Sequence, residues 1–205
     1  MKRSKSSQNW LQQHFNDPYV KQAHSQGWRS RAVFKLQEID RKYDLIKPNQ
    51  KIVDLGAAPG GWSQYVTDKT QGRAQIYALD CLEMDPLPHV SFLQGDFTQN
   101  DTLNTLEDYL NHETIDLLLS DMAPNLSGDR TIDQPRVMHL TELAYDFAQA
   151  YLKQDADMLI KVFQGRDFDQ FLATLKQAFQ KVKVVKPKAS NQHSTEVYLL
   201  CRGFK

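Results

Sequence analysis

Cysteine is nearly absent: Cys81 and Cys201 stand far apart, with no CxxC spacing. That pattern argues against a disulfide framework and against a zinc site, and predicts two small buried thiols in a reducing compartment. The six histidines are scattered, none in an HxxxH-type arrangement, so no metal is expected. No uninterrupted apolar stretch approaches the ~20 residues of a membrane span, and none is expected. The basic N-terminus, Met1 to Trp10, lacks the apolar centre of a secretory signal, which makes the cytoplasm the expected compartment. What remains is a globular composition, 40% hydrophobic and 10% aromatic over 205 residues. That suits one domain with a sizeable core.

Net charge is zero but unevenly spread. Residues 1–51 carry 11 Lys/Arg against 4 Asp/Glu, and residues 52–205 carry 14 against 21. A second basic run, Lys176 to Lys188, has five lysines and no acid. A charge run alone is more often a solvated face. It supports nucleic-acid binding only beside other signals.

Short apolar runs alternate with helical stretches. Strands are predicted at Lys51–Leu55, Ala74–Leu79, Val90–Leu93, Ile115–Leu119, Met158–Phe163, Val182–Val185 and Glu196–Cys201. Helices are predicted near Trp62–Lys69, Thr102–Leu110, Arg136–Leu152 and Phe168–Phe179. Such alternation implies crossover units and a mostly parallel sheet with helices on both faces. The gap from Lys186 to Thr195 is short for a helical crossover, so the last strand should run antiparallel. Ahead of this core lies the basic segment 1–50, where Ser30 is expected to cap a helix through Phe34, Leu36, Ile39 and Tyr43. The segment reads as a substrate-binding addition, with Arg29 and Arg31 expected on phosphates and clear of the cofactor.

Val53-Asp-Leu-Gly-Ala-Ala-Pro-Gly-Gly-Trp62 follows a strand and precedes a helix. Glycines there let the backbone approach a ligand at a strand's carboxyl end. G-x-G-x-x-G does not fit, because Ala58 and Pro59 interrupt it. A pyrophosphate cradle is thus disfavoured relative to a phosphate-free ligand such as adenosylmethionine. Asp80, 24 residues after Gly56, suits ribose hydroxyls, and Asp96 suits an adenine amino group with Phe97 beside the ring. Either carboxylate alone reads equally as a helix cap or a surface residue. Together with the loop, at successive strand ends, they favour a ligand site.

These motifs, with Ser120-Asp-Met-Ala-Pro-Asn125, Ile160-Lys-Val-Phe-Gln-Gly165, Asn16-Asp-Pro-Tyr-Val20 and Trp28-Arg-Ser-Arg-Ala32, resemble the FtsJ/RrmJ family of RNA methyltransferases across nearly the whole chain. The resemblance implies a Rossmann-like class I methyltransferase fold with S-adenosyl-L-methionine as cofactor. It implies 2′-O-methylation of a uridine in the A-loop of 23S rRNA within the large (50S) ribosomal subunit, by a monomer. On this reading residues 1–50 are an RNA-binding extension and 51–205 the methyltransferase domain. The family's catalytic tetrad maps onto Lys35, Asp121, Lys161 and Glu196, and its cofactor residues onto Gly60, Trp62, Asp80, Asp96 and Asp121. Family members are often arginine-rich just before the glutamate. Ala189-Ser-Asn-Gln-His-Ser-Thr195 has no arginine, so part of the RNA contact surface is expected to differ while the tetrad is intact.

A ribose hydroxyl is a poor nucleophile, so transfer needs in-line placement and a group to take its proton. Lys161 is the candidate base, a lysine interrupting an apolar strand. Its neutral form costs roughly 4–5 kcal/mol at pH 7 from an ordinary pKa of ~10.4. Lys35, burial and the sulfonium would lower that cost, while Asp121 and Glu196 oppose it and are expected to orient the lysines. The sequence leaves open whether Lys161 removes the proton or only steers the hydroxyl. Rival readings are a 2′-O-methyltransferase for transfer RNA or a cap, a methyltransferase for a small molecule or protein, and a non-catalytic assembly factor.

Overall fold

The computed structural model describes residues 17–124, 130–192 and 194–205, with the side chains of 130–132 left aside. Asn16, Asn125 and the first sixteen residues of the basic segment lie outside the described residues. Two helices come first, α1 (Pro18–Ser25) and α2 (Val33–Tyr43). The alternating unit follows as β1 (Lys51–Leu55), α3 (Gly61–Thr70), β2 (Gln75–Asp80), β3 (Val90–Gln94), α4 (Asn100–Tyr109), β4 (Ile115–Ser120), α5 (Arg130–Tyr151), β5 (Leu152–Phe163), α6 (Phe168–Ala178), β6 (Phe179–Val185) and β7 (Glu196–Phe204).

One seven-stranded sheet runs β3-β2-β1-β4-β5-β7-β6. β7 is antiparallel to both β5 and β6, and the other pairings are parallel, as the sequence predicts. The central strands β1, β4 and the second half of β5 carry mainly apolar residues on both faces because both faces are covered. Val53, Leu55, Leu118, Phe147, Ala148 and Leu175 pack on one side. Leu36, Ile39, Ile52, Trp62, Leu117 and Leu200 pack on the other, so α2 belongs to that helical layer.

Three local expectations need correction. Ser30 does not cap α2: the N-cap is Ala32, without a side-chain bond, and Ser30 contributes only its carbonyl, accepting from Val33 N at 3.3 Å. β5 begins at Leu152 rather than Met158: Leu152 pairs with Ile115, and residues 153–156 are accommodated in a register shift before Asp157 pairs with Leu117. Cys81 is exposed, whereas Cys201 is buried as expected; neither is in a disulfide. α1 carries almost no apolar signal, only Ala23 being buried; Asp17 caps it by accepting from Tyr19 N at 2.8 Å.

Strand order reverses between β1 and β4, where an open α/β sheet places its ligand crevice. Because β7 runs backwards, its first residue, Glu196, lies at the same sheet edge as the last residues of β4 and β5, paired with Phe163.

Candidate active site

The crevice is shaped by Gly56, which has φ +77°; a Cβ there would stand 2.8 Å from Met122 N. Asp121 N donates to Leu55 O at 3.0 Å and joins the two strand ends at the reversal. Gly60, with φ +104°, starts α3. Arg29 grips this region, donating to Asp85 O (2.6 Å), Pro86 O (2.9 Å) and Pro59 O (3.3 Å).

A cavity of about 600 Å3 opens there, lined among others by Gly56, Ala58, Asp80, Asp96, Phe97 and Asp121. Asp80 Oδ2 accepts Ala58 N at 2.9 Å and Oδ1 accepts Leu82 N at 2.8 Å, which fixes the carboxylate while leaving each oxygen a second lone pair. Asp96 Oδ1 accepts from Thr98 N (2.9 Å) and Thr98 Oγ1 (2.8 Å), and these bonds hold its pKa below the ordinary carboxylate value. Aligned acceptors in a cavity of this size suit an adenosine-like group carrying hydroxyl and amino donors. Gly60 and Trp62, also expected at the cofactor, are not part of the lining. Trp62 is buried, and its indole N–H donates to Ala32 O at 2.9 Å. Among the described residues no group of His, Cys, Asp and Glu could hold a metal.

Beside the cavity the four tetrad residues come together. Lys161 Nζ is 3.0 Å from Asp121 Oδ1 and donates to Asp121 O at 2.5 Å. Lys35 Nζ is 2.8 Å from Glu196 Oε1 and 4.0 Å from Asp121 Oδ1. Lys35 and Lys161 are only 9% and 7% exposed. Buried charges persist when paired. Burial pushes the Asp121 carboxyl up, but Lys161, Lys35 and the Tyr198 hydroxyl outweigh it and hold the pKa below the usual value.

Two members escaped the sequence reading. Tyr198 is fully buried; its hydroxyl donates to Asp121 Oδ1 at 2.6 Å and accepts from Lys35 Nζ at 3.1 Å. Burial and the charges of Asp121 and Glu196 push its pKa well up, so it stays a donor. Its signal was the strand period: Tyr198 lies two residues from Glu196 and opposite Lys161. Asp54 is the second. It is 1% exposed, accepts from Ser63 Oγ at 2.7 Å through Oδ2, and its Oδ1 has no partner. Burial, against the Ser63 bond and together with Asp121 and Asp80, pushes its pKa up to about 7. Like Lys161, it is a charge interrupting an apolar strand, and that alone could have flagged it.

The FtsJ-like methyltransferase family profile matches residues 28–204. The chain belongs to this family. It is 52% identical over 204 residues to the Legionella pneumophila (strain Corby) ribosomal RNA large subunit methyltransferase E, covering all of this chain and 99% of the relative. It is 50% identical over 205 residues to the Hydrogenovibrio crunogenus protein of the same name, covering both completely. Among solved structures, a Plasmodium falciparum ribosomal RNA methyltransferase superposes with TM-score 0.78 at 32% identity, over 86% of this chain and 98% of that one. MycE methyltransferase, solved with Mg and SAH, shares the fold at TM-score 0.56 and 13% identity, over all of this chain and 58% of its own.

Proposed function

We propose that this methyltransferase uses S-adenosyl-L-methionine to methylate the 2′-hydroxyl of a uridine in the A-loop of 23S rRNA, on the large ribosomal subunit in the cytoplasm. The observation that carries the reading is the buried Lys35–Tyr198–Asp121–Lys161 chain beside a cavity lined by Asp80 and Asp96. Ribosomal RNA as substrate rests on the named relatives, and residues 1–50 serve as the RNA-binding extension of unit 51–205.

The cofactor would be held by Asp80 at its ribose, by Asp96 at its adenine, and by the Gly56–Trp62 loop and Asp121 at its amino-acid end. When bound, it supplies a methyl group on a positive sulfur. The residues around it would place the ribose hydroxyl against that methyl, and the hydroxyl would give up its proton. Lys161 takes that proton. Tyr198 and Glu196 hold Lys35 in place. A second reading, in which Lys161 stays an ammonium and only steers the hydroxyl, is favoured by its two contacts to Asp121.

Purified protein, labelled cofactor and large subunits lacking the modification test the proposal. Label is expected on a uridine ribose in 23S rRNA, located by mass spectrometry of nuclease fragments. Label on a base, or only on transfer RNA, would overturn it.

A further inference from the structure

The basic run on β6 has no part in the site described, nor does the charged end of α2 that meets it. Lys183 pairs with Leu200 and Lys181 with Arg202, which sets these side chains on the face of the sheet that α2 covers. There Tyr43 closes α2, and its ring lies under two ammonium groups: Lys183 Nζ is 4.7 Å and Lys42 Nζ 5.3 Å from its centroid. Arg202 ties the junction together, donating from Nη1 to Tyr43 O at 2.7 Å and from Nε to Asp157 Oδ2 at 2.9 Å.

The neighbouring carboxylates are already engaged. Glu38 Oε2 accepts Lys188 N at 2.8 Å, Asp157 is held by Arg202, and Asp44 pairs with Lys47. Among the described residues, Lys42, Lys181 and Lys183 have no carboxylate within 4.0 Å. Lysines on an edge strand deter strand pairing, which accounts for Lys181 and Lys183. It does not account for Lys42, or for two cations gathered over one ring, whose mutual repulsion an added anion would relieve.

We propose that Lys42, Lys183 and Lys181 form a second contact for the RNA, binding phosphates of the strand flanking the target nucleotide. The idea rests on RNA being the substrate. Tyr43 lies about two turns of α2 from Lys35, roughly 12 Å. Lys183 is opposite Leu200, four residues along β7 from Glu196, or about 13 Å. The stripe therefore begins roughly 12–13 Å from the tetrad, a few nucleotides along an RNA strand.

The test compares the full chain with its Lys42→Gln/Lys183→Gln form, titrating protein-free large-subunit RNA across a KCl series. Each lost phosphate contact should lower the slope of log affinity against log salt by about 0.9. The double variant should thus lose about 1.8 in slope and bind roughly 30-fold more weakly at 0.15 M salt, with unchanged cofactor affinity as the folding control. Lys42→Arg/Lys183→Arg should retain the parent slope. Equal slopes for the parent and the glutamine form would overturn the stripe. A difference appearing only on intact subunits would also overturn it, by assigning the face to a ribosomal protein. Methyl transfer by the parent protein checks the RNA-substrate reading separately, so the two can fail independently.

Discussion

Lys161 and Asp121 meet twice: Nζ lies 3.0 Å from Oδ1 and donates to the main-chain carbonyl at 2.5 Å. One residue at the end of β4 thus fixes the lysine by both its side chain and its backbone, while Tyr198 holds the same carboxylate from the opposite strand at 2.6 Å. The proton acceptor proposed for the reaction must be positioned before its pKa matters, and this pairing supplies the position.

Lys161→Ala is expected to keep cofactor binding and lose at least the ~10²–10⁴ in rate that a positioned acid–base group provides. Lys161→Arg should fare almost as badly, because arginine keeps the charge and does not give up its proton. Single-turnover methyl transfer across pH is the measurement. Near-normal rates with arginine would leave the lysine a steering role only.

Asp80→Ala should weaken cofactor binding by about 1.5–3 kcal/mol, the worth of a hydrogen bond to a charged group. The substitution also releases Ala58 N and Leu82 N, which the carboxylate now holds. Calorimetric titration showing parental affinity would remove Asp80 from the site.

The bonds of Arg29 redirect an expectation. Its guanidinium is engaged by Pro59, Asp85 and Pro86 carbonyls, and that of Arg31 by Asp17 and Ala189 O, so both brace the protein. Arg29→Ala should lower cofactor affinity about five- to tenfold, the effect of losing ~1 kcal/mol of loop support. Parental cofactor affinity with weakened RNA binding would restore the direct phosphate role.

Asp54 sets a pH dependence of stability. Its folded pKa, about 7, lies above the ordinary carboxylate value, so the folded state holds a proton that the unfolded chain has released. Stability from this group is intact below about pH 4 and is lost as pH rises to 7, by up to about 4 kcal/mol. Asp54→Asn, which keeps an acceptor for Ser63, should stabilise the protein by roughly 1–3 kcal/mol at pH 8 and hardly at all at pH 4. Urea unfolding at both values checks this; an equal gain at each would contradict the assignment.

The central strands were legible because strands buried on both faces are mainly apolar, as in Leu117–Leu119. The reversed β7 followed from a connection too short for a helix. The antiparallel β6–β7 hairpin was legible as well, but β7's pairing with β5 was not, since local pattern says nothing of which further strand it joins. The tetrad was legible by resemblance, with Lys161 also conspicuous as a charge in an apolar strand. Tyr198 was not, because an aromatic in a strand is ordinarily core, and only register shows its hydroxyl between Lys35 and Asp121. Arg29 reads as a free charge in sequence because its acceptors are backbone carbonyls 30 to 57 residues away.

Comparing ribose methylation in all ribosomal and transfer RNA between a strain lacking the gene and its parent tests the central claim most directly. The account predicts that one 23S uridine ribose methyl disappears, and that the intact gene restores it while the Lys161→Ala form does not. An unchanged 23S pattern, with a methyl missing from transfer RNA instead, would contradict it.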